Sequence, residues 1–205
     1  MSERTRRITR IGVWAGYVVA LAAAIGLVTI GLSQAVGAPW DTVNDLALLV
    51  TIGALAPLML SFYELGGLTP LRVAQLAQIL GWTSVITWGV LQKAVLLGAV
   101  EFAFDAPATG LFALGSLALG YIGLWIAGAN LLAGPWLTAI RWLGLLVGLA
   151  LTLFAVGLLL GGVDSGWTFL GGAGFLFFGS IWALLMARLL RSRLSGDRNG
   201  AAPAA

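Results

Sequence analysis

Charged side chains occur in this chain in short clusters, and between the clusters run long apolar stretches that carry almost none. Each stretch, at about 1.5 Å per helical residue, is long enough to cover a hydrocarbon core of roughly 30 Å. Six membrane-spanning helices are predicted, over 11–32, 44–63, 79–100, 109–132, 142–160 and 167–190. The first run follows Arg4, Arg6, Arg7 and Arg10, as the apolar core of a signal peptide would. It is too long for such a core and is read as a true span.

The breaks between runs carry turn chemistry. Gly37-Ala38-Pro39-Trp40-Asp41 predicts a turn, with Asp41 or Asn44 as the cap of the second helix and Trp40 at the membrane interface. Pro57 predicts a kink in that helix. Thr69 and Pro70 suit the cap and first position of the third helix. The helical pattern from there to Val100 is too long for one perpendicular crossing. Residues 71–78, with Arg72, Gln75 and Gln78, are therefore expected along the inner interface ahead of the third span. Gly134-Pro135-Trp136 and a short turn carrying Asp164 divide the last three spans. Residues 1–10 form a basic N-terminus, and Gly, Ala, Pro and mixed charge predict a disordered tail over 191–205.

Composition changes this from a pattern to a class. Of 205 residues, 60% are hydrophobic and 9% charged, against about a quarter charged in a soluble domain. Too few polar residues exist to cover a water-soluble core, so the fold class is all-α, a polytopic membrane helix bundle in one domain. With the N-terminus inside, Arg4, Arg6, Arg7, Arg10, Arg72, Arg141, Arg188, Arg191, Arg193 and Arg198 share the cytoplasmic side, and Asp41, Asp45, Glu101, Asp105 and Asp164 fall outside. The excess of inner arginines predicts N-in and C-in, a multi-pass protein of the inner cell membrane with both termini cytoplasmic. These arginines sit at segment ends, where they orient helices, so no nucleic-acid partner is expected despite the net charge of +3.

Cysteine and histidine are absent, which excludes Cys/His zinc sites and His-ligated haem or chlorophyll. No cofactor is predicted beyond bound lipid. No phosphate loop, dinucleotide fingerprint or nucleophile with a base is present, so catalysis is not expected. The candidate ligand-binding set is Lys93, Gln92, Trp88, Tyr121 and Trp125. Lys93 is the one base inside a predicted span, and an intramembrane charge raises the question of function, although its stem can also snorkel outward to Asp45, Glu101 or Asp105. Ser84, Trp88 and Gln92 share a face at four-residue spacing, at the depth of Tyr121 and Trp125. Such polar-tipped aromatics either wall a pocket or bond between helices. Gly12 with Gly16, Gly144 with Gly148, and Gly157 with Gly161 are candidates for close helix packing, because members four apart lie on one face.

The arginine-led first helix, Asn44-Asp45-Leu46 and Ile140-Arg141-Trp142-Leu143-Gly144-Leu145-Leu146 resemble uncharacterised bacterial six-helix integral membrane proteins, diffusely across most of the chain. The resemblance implies the architecture and no activity. Short loops and helices rich in small and aromatic residues point to a non-catalytic accessory or structural subunit, packing against other membrane protein subunits or a further copy of itself within the lipid bilayer. The alternative is a small-solute carrier or substrate-binding component with a midplane site between helices 3 and 4. It draws on the order Gly-Tyr, Pro-Trp, Gly-Trp-Thr recurring in both halves, as inverted repeats would give, although Gly, Pro and Trp recur at membrane interfaces in any case.

Overall fold

A computed structural model describes residues 1–68, 72–100, 107–133 and 138–199, with backbone only for Gln34 and residues 197–199. Six helices make up the described chain: α1 Glu3–Val36, α2 Trp40–Leu65, α3 Arg72–Leu96, α4 Gly110–Leu132, α5 Thr138–Gly161 and α6 Gly166–Asn199. All six are long and apolar enough to cross a membrane.

The two outermost helices exceed the predicted spans. Ser2 caps α1, its hydroxyl accepting from Thr5 N at 3.1 Å, so the basic residues sit on the helix itself. The tail expected to be disordered from 191 is helical through Asn199. Between Arg191 and Asn199 no proline interrupts the helix, and Leu194, four residues past the buried Leu190, continues its inward stripe. At 34 residues each, α1 and α6 extend about 50 Å.

Glycines with positive φ stand just past the ends of α2, α3 and α5. Gly98 (φ 66°) ends α3: Gly98 N donates to Val95 O and Ala99 N to Ala94 O, the paired reverse bonds of a Schellman cap. The helix therefore stops at Leu96, four residues short of the predicted end. Gly67 (φ 67°) ends α2 similarly, with Leu68 N donating to Tyr63 O. α3 is one continuous helix with no break near Gln78, so the expected interfacial prelude is part of the span's own axis. The predicted capping of α2 by Asp41 or Asn44 does not occur. The helix starts at Trp40 without a side-chain cap, Asp41 lies in its first turn, and Asn44 Oδ1 accepts from Thr29 of α1 at 3.4 Å. Pro57 lies within α2 without ending it, and Ser61 Oγ, one turn on, donates to Ile8 O of α1. The caps expected at Thr69 and Pro70, the carboxylates Glu101 and Asp105, and the turn at Pro135 and Trp136 lie outside the described residues.

Each helix packs on the one before it, and α6 returns to α1, closing a ring in chain order. The ring is filled: Leu58, Met59, Leu119, Ile126, Leu151 and Trp182 have no exposed surface. Small residues set the tightest contacts. Gly16 of α1 lies against Ala183 and Ala187 of α6, and Gly12 against Ser61 and Leu190. Gly148 crosses Gly123, where a methyl on Gly148 would fall 2.5 Å from Gly123 O. Gly144 meets the Asn130 amide, Gly157 meets Thr168 of α6, and Gly161 faces only Ser165 in the adjoining turn. Around this ring α3 is held thinly, by modest contacts to α2 and α4, whereas α1, α2, α4, α5 and α6 pack extensively.

Candidate functional site

The five residues proposed for a midplane site do not form one cluster. α3 carries them past two separate groups of partners, about 10 Å apart along its axis.

The first group surrounds Trp125. Its indole is buried and donates to Tyr63 Oη at 2.9 Å, with the two rings 6.2 Å apart and tilted by 49°. Gly81 of α3 lies flat on the indole, where any side chain would overlap the ring. One turn earlier on α4, Tyr121 is half-buried and its hydroxyl reaches Ala77 O of α3 at a long 3.5 Å. Tyr63, Tyr121, Trp125, Ala74, Ala77 and Gly128 line a recess of about 210 Å³ between α3 and α4. Tyr63 was not among the sequence candidates. Its signal was present, since Ala56, Met59 and Tyr63 follow the spacing of one helix face and end on a hydroxyl.

The second group surrounds Trp88 and Gln92, both buried to 5% exposure. The Trp88 ring stacks over Gly115 of α4, and its Nε1 has no hydrogen-bond partner among the described residues. Gln92, one turn on, faces the carboxylate of Asp45 on α2. Lys93 is adjacent in sequence and apart in space: its side chain is exposed, turned away from Trp88 and Gln92. Because α3 ends at Leu96, Lys93 stands in the last turn, where a cation meets the negative end of the helix dipole.

Opposite the buried set, α3 presents a bare face. Leu76, Ile79, Thr83, Ile86 and Val90 are all exposed, at alternating spacings of three and four residues. This is the spacing of a helix-pairing seam. The exposed set continues to Arg72 and Gln75 at one end and Lys93 at the other. α3 is the least apolar of the six candidate spans and also the least covered, with 28% of its most apolar stretch buried against 56% in α2 and α4. α5, the most apolar span, is better covered, at 39%.

Other polar work is structural. Arg141, in the first turn of α5, donates Nε to Asn130 O and Nη2 to Leu131 O, each at 3.0 Å, closing the C-terminus of α4. Among the described residues no cluster of His, Cys, Asp and Glu could hold a metal ion. The chain matches no protein-family model, no curated protein and no solved structure.

Proposed function

We propose that this protein is a non-catalytic subunit of a bacterial inner-membrane assembly, with both termini cytoplasmic, and that the outer face of α3 is where another membrane protein's helix docks. The observation that carries this is the inversion at α3. Lipid favours the most apolar helices at the perimeter, yet the perimeter position with the least cover is held by the least apolar span. The arginines at one end support the orientation through the bias of basic residues toward the cytoplasm.

The carrier reading draws support from the recess beside Tyr121 and Trp125. The filled ring centre, with Leu58, Met59 and Trp182 fully buried, weighs against a solute route through the bundle. Site-specific photo-crosslinking in native membranes tests the proposal. A crosslinker at Ile86 is expected to give a discrete protein adduct, and one at Leu149, an exposed position on α5, only lipid adducts. Lipid adducts alone from both positions would overturn it.

A further inference from the structure

The helix ends that carry arginine come together in space. α1 and α6 run antiparallel in contact, with Gly12 against Leu190 and Gly16 against Ala187, so the first turns of α1 lie beside the last turns of α6. Arg4, Arg6, Arg7 and Arg10 thus share one end of the bundle with Arg188, Arg191 and Arg193. Arg72 and Arg141, at the starts of α3 and α5, join the same end. The carboxylates described there are Glu3 and Glu64, and Glu64 accepts from Thr5 Oγ1 at 3.3 Å. Met1, Glu3, Arg6, Arg7 and Arg10 line a cleft of about 580 Å³.

Depth decides what such a surface meets. The uncharged run of α1 begins at Ile11 and that of α6 ends at Ala187. At about 1.5 Å per residue, Arg10 and Arg188 stand at the edge of the hydrocarbon, and Arg4, Arg7, Arg191 and Arg193 stand within about 10 Å beyond it. Lipid phosphates occupy that layer. All the basic side chains at this end are arginine, whose planar fork of donors matches two phosphate oxygens at once. Clusters of four to eight such residues next to a span attract anionic lipid, at roughly 1 kcal/mol for each base near the surface.

We infer that the cleft at the start of α1 binds the phosphate of an anionic glycerophospholipid, with Arg6, Arg7 and Arg10 as the phosphate donors and the arginines of α6 holding further anionic headgroups around it. Glu3 in the same cleft opposes a second negative charge and accepts from headgroup hydroxyls, which suits a glycerol phosphodiester. The inference is independent of the docking role of α3.

The test uses the full chain in nanodiscs holding equal amounts of phosphatidylglycerol and phosphatidylcholine, with retained lipid counted by native mass spectrometry. Several-fold preference for phosphatidylglycerol is expected, weakening as salt rises from about 50 to about 500 mM. The triple variant Arg6→Gln, Arg7→Gln, Arg10→Gln loses the preference, and Lys93→Gln, at the opposite end, keeps it. Soluble glycerol phosphate does not displace the lipid. Equal retention of the two lipids, an undiminished preference in the triple variant, displacement by soluble glycerol phosphate, or an acidic polypeptide occupying the cleft in chain isolated from membranes would each overturn the inference. Should the triple variant fail to insert, lipid selectivity and salt dependence of the unaltered chain decide the matter.

Discussion

A single methyl group separates the glycines of this chain into two kinds. At Gly148 it would lie 2.5 Å from Gly123 O and 2.6 Å from Ala127 N, both backbone atoms of α4 that cannot turn aside. At Gly53, on the exposed face of α2, it would meet nothing within 4 Å. Gly148→Ala is therefore expected to cost about 1–3 kcal/mol through forced separation of α4 and α5. Gly53→Ala should be neutral or slightly stabilising, because alanine is the better helix former. Thermal unfolding in detergent distinguishes them, and equal midpoints would contradict the crossing. Spacing four apart singled out Gly144 and Gly148 but could not separate them from Gly161, which meets only its own turn, and it passed over Gly123 and Gly81. A glycine's role is decided by what lies opposite, and that is written in another helix.

At the scale of the element, α3 differs from the other five. Its span is legible as an apolar run, but hydropathy continues through Leu97, Ala99 and Val100 past the left-handed Gly98 at which the helix stops. Hydropathy reports the cost of transferring side chains to lipid and says nothing about φ. Lys93 consequently stands in the final turn of α3 rather than two turns inside the span. Thin packing has a dynamic consequence. With fewer buried side chains to hold it, α3 should open locally more readily than α2 or α4. Hydrogen exchange in detergent is expected to show faster uptake across residues 76–90 than across α4, and slower uptake once a partner helix is bound. Protection of α3 equal to that of α4 would mean the helix is held by more than the contacts seen.

For the whole molecule, closure of six helices into a ring in chain order relates the two halves in outline, since α1 packs on α2 as α4 packs on α5. The halves part at their third members: α6 is gripped on both sides, while α3 is not. That asymmetry leaves the closed ring least covered at α3. Orientation belongs to this scale too. If the arginine-rich end faces the cytoplasm, a fluorescent reporter that matures only there should light up when fused to either terminus, and an exported-enzyme reporter should stay silent. The reverse result would turn the molecule over and with it the leaflet that supplies the anionic lipid.

How many helices there are, roughly where they run and which ends carry the positive charge were determined by the sequence alone. Transfer of each residue to lipid is a local cost, and summing it along the chain needs no knowledge of neighbours. Tertiary structure decided that Trp125 donates to Tyr63, that Gln92 faces Asp45 while Lys93 turns away, and which face of α3 stays bare. Those outcomes depend on helix separations and rotations of an ångström or a fraction of a turn, which periodicity within one helix does not encode.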